Sequence, residues 1–262
     1  MLKQIAALIT QKAFWQNGLQ IALKKADICH RDSSLVSQAK NNSTSPKLDK
    51  IILESLPTPP PNGWELKKLG EILSNLESGK RPKGGVDNYT QGALSLGGEH
   101  IDNKNGFIKL ESLKYVPLEF YKNYALQNKA IIKENDILIC KDGALSGKIA
   151  LVRKELTNQK AMINEHIFLL RCENTIEQKY IFYYLHSSDG QKSLQSKVTG
   201  SAQGGINQES LKQILIPLPP LEAQQKIVSV IEGIESKITN LEHLTYNLES
   251  KKQEILKEAL ES

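Results

Sequence analysis

Cysteine is scarce in this chain of 262 residues: Cys29, Cys140 and Cys172 are the three, and none forms a C-x-x-C pair. That spacing excludes a disulfide framework and the ligand pattern of a structural zinc site. Cys29 and His30 are adjacent, but neighbours in sequence seldom ligate one metal, and all three cysteines read as plain thiols. Long apolar runs are missing as well. No stretch approaches the ~20 apolar residues a membrane-spanning helix needs. Leu2–Ile9 is broken by Gln4 and followed by Thr10-Gln11-Lys12, which is not the pattern of a secretory leader. The expected compartment is the cytoplasm, with no membrane partner.

Catalytic signatures are also lacking. There is no G-x-x-x-x-G-K-[ST] loop, no G-x-G-x-x-G, no H-E-x-x-H and no G-x-S-x-G elbow. The N-P-P-[YF] tetrad of adenine methyltransferases is absent too. His100, Asp102 and His166 are acid–base residue types, but no nucleophile is placed with them. Glu-x-Lys, which nucleases set after an upstream Asp, occurs at Glu65–Lys67, Glu177–Lys179, Glu235–Lys237 and Glu249–Lys251. Scattered copies of this kind point to chance, and only Asp49 ahead of Glu65–Lys67 has the nuclease order. The chain is therefore expected to be non-catalytic, with no metal and no cofactor.

What is present is enough apolar material for a core (39%) and an ordinary charged share (24%). The net charge of +5 is unevenly spread: residues 221–262 hold eight acids and five lysines, so residues 1–220 carry +8. A basic globular part beside an acidic tail suits contact with phosphates, although an ordinary basic surface has the same signature.

Residues 1–28 read as a helix, with Leu2, Ile5, Ile9, Leu19 and Leu23 on one face. Residues 29–60 read as a linker, polar over 33–46, with a short helix over 48–56 that Pro57, Pro59, Pro60 and Pro61 stop. From Gly63-Trp64 short apolar runs alternate with Gly and Asn turns. Strands are predicted at 94–96, 131–132, 136–140, 149–152 and 166–171. Residues 176–188 read as a helix whose Tyr180, Phe182, Tyr183 and Tyr184 are core, and Asn207 as the cap of a helix through Gln213. Ile214–Pro220 reads as an extended strand ending in a stiff proline hinge.

From Leu221 the pattern is helical to the end. Ile227, Ile231, Ile234, Ile238, Leu241, Leu248 and Ile255 fall in a heptad seam that weakens at Thr245 and Lys252. Such a rod needs a partner helix, from another chain or from residues 1–28. The expected fold class is α+β: one mixed α/β domain over 61–220, a long C-terminal coiled-coil helix over 221–262 and an N-terminal helix.

Binding chemistry gathers in the loops. Lys80-Arg81-Pro82-Lys83-Gly84-Gly85 is basic and flexible; Gly97-Gly98-Glu99-His100 follows a strand. Lys141, Ser146 and Lys148 flank a turn, and Ser201, Gln203 and Asn207 lie in or after a Gly-rich loop. Arg and Lys suit phosphates and guanine edges, Gln and Asn suit adenine, and Ser suits several edges. Taken singly each loop is an ordinary solvated turn; their presence in one basic domain favours double-stranded DNA as the ligand. A coiled-coil adaptor with a protein-binding domain is the alternative, and it accounts for the rod but not the basic loops.

Three segments resemble specificity subunits of type I restriction–modification systems. Pro61-Asn62-Gly63-Trp64-Glu65 with Leu69-Gly70-Glu71-Ile72 resembles the start of a target-recognition domain. Ile137-Leu138, Gly143 and Gly147-Lys148 resemble that domain's "D-I-L … G … G-K" turn. Asn207–Lys212 followed by Ile216-Pro217-Leu218-Pro219-Pro220-Leu221-Glu222-Ala223-Gln224 resembles its exit into a spacer helix. Leu8–Trp15 with Gly18-Leu19 resembles the tail of a preceding spacer. The resemblance implies a domain that reads half of a bipartite DNA site, and helices that pair antiparallel and set the gap between half-sites. It implies methyltransferase and restriction/translocase subunits as partners that carry the chemistry. Members usually hold two recognition domains and two spacers; one of each here implies a half-subunit that forms a homodimer or pairs with a second specificity half. The pairing residues would be Ile227, Ile231, Ile234, Ile238, Leu241 and Leu248.

Overall fold

The computed structural model describes residues 64–127, 131–200 and 204–261. The readings made for residues 1–60 lie outside that range, Cys29 and Asp49 among them. The described chain divides after Gln224, into a domain from Gly63 to Gln224 and a helical segment from Gln225 onward.

The domain runs β1 (Glu65–Lys68), α1 (Leu69–Ile72), β2 (Leu73–Ser78), β3 (Ala93–Leu96), β4 (Ile101–Asp102), β5 (Phe107–Ile108), β6 (Tyr115–Val116) and α2 (Leu118–Gln127). It continues with β7 (Ile137–Cys140), β8 (Ile149–Leu151), α3 (Lys154–Thr157), β9 (Ala161–Ile163), β10 (Ile167–Cys172), α4 (Gln178–His186), α5 (Ser188–Gln195), α6 (Gln208–Lys212) and β11 (Leu215–Leu218). A long helix, α7 (Leu221–Glu261), follows.

An antiparallel sheet in the order β2-β10-β7-β8 forms the centre, and a second sheet in the order β6-β3-β9 joins β3 and β9 in parallel. Ile137–Cys140 and Ile167–Leu170 are all buried. Both faces of these strands are therefore covered, which explains continuous apolar runs in place of alternation. Leu138, Leu169 and Ile167 pack with Leu94, Leu96 and Ile163, so one core joins the two sheets.

The strands expected at 94–96, 136–140, 149–152 and 166–171 appear within a residue of those bounds. Ile131 makes only an isolated bridge, to Met162. The helix expected over 176–188 stops at His186. Ser187 is extended, its hydroxyl accepts from the Gly190 amide at 3.3 Å, and a new helix, α5, begins. A Cβ at Gly190 would lie 2.1 Å from the Tyr184 carbonyl oxygen, so only glycine lets α5 fold back against α4. Tyr180, Phe182, Tyr183 and Tyr184 are core, as read.

The segments read as the start and exit of the domain pair with each other: β1 runs antiparallel to β11, with Leu66 opposite Pro217. Pro217 lacks a donor and is tolerated because this ribbon has only two strands. The Leu69 amide donates to the Ile214 carbonyl at 2.7 Å. Tyr180 and Tyr184 donate to the Pro217 and Leu215 carbonyls at 2.7 and 3.2 Å, tying β11 to α4. Gln224, buried, accepts from the Glu177 amide at 2.9 Å and donates to the Pro219 carbonyl at 2.7 Å. The first turn of α7 is thereby part of the domain.

One buried ion pair braces the sheet. Asp136, only 2% exposed, receives Arg171 Nε at 2.7 Å and Nη2 at 2.8 Å, and the Lys133 amide at 2.6 Å. Burial pushes the Asp136 carboxyl above its ordinary value, against the pull of Arg171. Nearby, the Gln178 side chain accepts from the Cys172 amide and donates to the Asn135 and Leu170 carbonyls.

Helix α7 has 41 residues, a rod of roughly 60 Å at the usual helical rise. Its seam changes character along its length. Ile227, Ile231 and Ile234 are buried within the single chain, and Ile238 and Leu241 are half-buried. Leu248 is exposed, as are Leu244 and Leu256 off the seam. The seam read from the heptads is therefore buried at its proximal end and exposed at Leu248. No helix among the described residues is long and apolar enough to cross a membrane.

Candidate nucleic-acid interface

Antiparallel pairing decides which loops meet. Phe168 pairs with Ser78 and with Ile139, Ile167 with Cys140, and Ile139 with Ile149. The end of β2, the end of β7, the start of β8 and the start of β10 therefore share one end of the sheet. Loops 79–85, 141–148 and 164–166 leave from it.

Two more segments join them. Asp142 bridges to Gly205, the Gly143 amide donates to the Gly204 carbonyl at 2.9 Å, and the Ile206 amide donates to the Lys141 carbonyl at 2.7 Å. The Asn164 amide donates to the Leu96 carbonyl at 2.9 Å, which brings the 97–99 turn alongside. Glycines make the approaches possible: a Cβ at Gly79 would lie 1.9 Å from the Ile163 carbonyl, and one at Gly98 would lie 2.6 Å from Cys140 Sγ. Five loops that are remote in sequence thus form one surface.

That surface carries Lys80, Arg81, Lys83, Lys141 and Lys148, against Glu99, Asp142 and Glu165. Each carboxylate has an internal partner. Arg81 pairs with Glu165; His166 stands between Glu165 (3.4 Å) and Asp142 (3.1 Å); Lys114 pairs with Glu99 at 3.1 Å. Burial pushes the Glu99 carboxyl up, but a backbone hydrogen bond and Lys114 outweigh it and hold it below its ordinary value. No carboxylate pairs with Lys80, Lys83, Lys141 or Lys148 among the described residues. Lys141 Nζ lies 5.2 Å from the Phe168 ring centre and Lys80 Nζ 5.9 Å from that of Tyr124, contacts that steady a cation without neutralising it. The face offers positive charge on a backbone that can be approached closely, which suits phosphates.

Several residues read as contacts have other work. His100 is 1% exposed; its Nδ1 accepts from the Gly97 amide at 2.9 Å and its Nε2 faces the Ser112 carbonyl. It shapes the 97–100 turn and does not present its ring outward. Ser146 is buried, and its hydroxyl points at the Gly143 and Gly204 carbonyls at 2.7 and 3.0 Å. It fastens loop 141–148 to the 204–206 segment. Asn207 is exposed, and its side-chain oxygen caps α6 through the Ser210 amide at 2.7 Å. Ser201 and Gln203 lie outside the described residues.

Sequence reasoning missed Glu165 and treated His166 as the start of a strand; β10 begins at Ile167 and leaves both in the turn. The Asn164-Glu165-His166 run between two apolar stretches was the available signal. His100, Asp102 and His166 do not converge: Asp102 caps its own turn through the Lys104 and Asn105 amides. Glu65 and Lys67, the nuclease-like pair, bind each other at 2.8 Å on the exposed β1 ribbon.

The class the fold defines is a mixed α/β domain that gathers basic loops at one end of its sheet and continues into a long helix. The family model for the type I restriction modification DNA specificity domain matches residues 61–250, and the chain belongs to that family. It is 28% identical over 181 residues to the type I restriction enzyme MjaVIII specificity subunit of Methanocaldococcus jannaschii, covering 68% of this chain and 37% of that protein. With the EcoEI specificity subunit of Escherichia coli it shares 27% over 209 residues, covering 76% of this chain and 33% of that one. The chain thus spans little more than a third of the curated relatives it matches. A solved structure described under complex assembly and conformational transition of the type I R-M system aligns with a TM-score of 0.51 at 18% identity, over 95% of this chain and 54% of that one. That likeness shows a shared fold.

Proposed function

We propose that this chain is the DNA-reading part of a type I restriction–modification specificity subunit, and that it meets one half of a bipartite double-stranded site through the loop-built end of its central sheet. The observation that supports it most is the convergence of loops 79–85, 97–99, 141–148, 164–166 and 204–206, with four lysines that no carboxylate neutralises among the described residues. Lys80, Lys83, Lys141 and Lys148 meet phosphates, and Arg81 exchanges Glu165 for a phosphate or a guanine edge. The chain itself performs no chemistry; methyltransferase and restriction subunits, assembled on it in the cytoplasm, supply it.

The distal part of α7 is the surface left for a second spacer helix, from another copy or a second specificity half. Leu244 and Leu248 are exposed on it. Two copies about a two-fold axis would read a split palindrome.

The test is DNA binding by the purified chain over a salt series. Affinity is expected to fall with a log–log slope of about −0.9 for each phosphate neutralised. A flat response would overturn the proposal. Mapping methylated sites in the host with and without the gene then identifies the sequence read.

A further inference from the structure

The turn between β7 and β8 carries Lys141 at one side and Lys148 at the other, and it is not held by its own strands alone. Helix α5 lies beside it. Gln195 Nε2 donates to the Ser146 carbonyl at 2.9 Å. One turn earlier on the same helix, Gln191 Nε2 donates to the Leu185 carbonyl at 3.0 Å and to the Gly147 carbonyl at 3.3 Å. Two glutamines four residues apart lie on one helix face, so together they grip consecutive peptides, those of Ser146 and Gly147.

The turn is built to receive them. Gly147 has φ +86°, which disfavours any side chain, and a Cβ there would lie 2.6 Å from Gln195 Nε2. Leu194, fully buried, anchors α5 between the two glutamines. The residue after the gripped pair is Lys148. On the other flank Ser146 Oγ and the Gly143 amide hold the turn to Gly204. Gln195 is itself exposed, and so adds little to the core.

We propose that Gln191 and Gln195 are positioning residues: they fix the Ser146–Gly147 peptides so that Lys148 meets a DNA phosphate in one place. The inference rests on the proposed role of the loop-built face. A positioned donor makes the contact without first losing the freedom of a mobile loop. The glutamines do not touch DNA; they act through Lys148.

The test is a double-mutant cycle on the full chain, read by binding to a short mixed-sequence duplex over a salt series. Gln195→Met keeps length and removes the donor. It is expected to weaken binding about fivefold, the cost of ordering a freed side chain on binding, and to lower the salt slope by about one phosphate's share, ~0.9. Lys148→Ala is expected to do the same. In the Lys148→Ala background, Gln195→Met is expected to add almost nothing, because the contact it positions is gone. Its unfolding midpoint in urea should stay that of the parent.

Full additivity of the two substitutions, with Lys148→Ala itself weakening binding, would overturn the positioning role and leave the DNA face intact. A silent Lys148→Ala would remove the turn from the DNA face, and the inference with it. Gln191→Met offers an independent copy of the cycle, expected to give a smaller effect because its bond to Gly147 is longer.

Discussion

The two ends of the central sheet hold the same kind of ion pair and use it differently. At one end, where β7 begins and β10 stops, Arg171 grips Asp136 with side chains 18% and 2% exposed. At the other, Arg81 pairs with Glu165 with side chains 46% and 31% exposed. The strands between are the same. What differs is water. Breaking a buried pair strands a charge in a poor solvent, whereas an exposed pair trades its partner for water or a phosphate at little cost. One end braces the fold; the other is free to exchange partners.

Substitutions can break this contrast. The largest effect belongs to Arg171→Met, expected to destabilise the chain by about 3–5 kcal/mol in urea unfolding because Asp136 stays buried and unpaired. Without Arg171 the burial that already raises the Asp136 carboxyl acts alone. A carboxyl raised in the folded state contributes its stability below the unfolded value and loses it as pH climbs through the folded one. The deficit of Arg171→Met should therefore be largest at neutral pH and shrink as pH falls toward the ordinary Asp value of about 3.9. A pH-independent deficit would mean that Asp136 is not the group left stranded.

Replacing Lys83 and Lys148 together by Ala should leave stability within ~0.5 kcal/mol and lower the salt slope of DNA binding by up to about 1.8. Intact binding with a full slope would remove these lysines from the interface. Arg81→Ala should cost at most ~1 kcal/mol of stability while measurably weakening DNA binding. A loss like that of Arg171→Met would erase the distinction between the two ends. The smallest effect concerns the thiols. Burial raises Cys140 and pushes Cys172 up to about 12, so neither should react with iodoacetamide at neutral pH in the folded protein. Modification at either, read by mass spectrometry on tryptic fragments, would show that the sheet opens there.

Helix α7 offers the same lesson in one element. Ile231 and Leu248 share a heptad seam, yet Ile231 is 2% exposed and Leu248 is 55% exposed. Periodicity reports which positions share a face; it does not report how far along the face a cover extends. Ile231→Asp should therefore destabilise the chain itself, while Leu248→Asp should act on association, read as mass by light scattering.

Much of the domain was legible. The runs that became β3, β7, β8 and β10 are dense in branched and aliphatic residues and bounded by Gly, Asn or charged turns. Strands β1, β2 and β9 were not. Glu65–Lys68 has a single apolar residue, and Ala161–Ile163 is three residues long and owes its strand form to pairing with β3. Helix α2 (Leu118–Gln127) and helix α5 were missed as well; polar residues dominate α5 and leave it no apolar stripe to read.

For the proposed interface, composition and motif point to loops 79–85 and 141–148 and periodicity to the heptad seam, because charge, glycine and periodicity are local properties. Which loops meet is not local. It follows from the pairing of Ser78 with Phe168 and of Ile167 with Cys140, residues separated by many others along the chain. His100 and Ser146 are turned inward for the same kind of reason: a buried polar group must find its hydrogen bonds wherever the fold brings them. The sequence by itself determined the residue types that can meet phosphate. Tertiary structure decided which of them share one end of the sheet, which are consumed inside it, and how far the seam of α7 is covered.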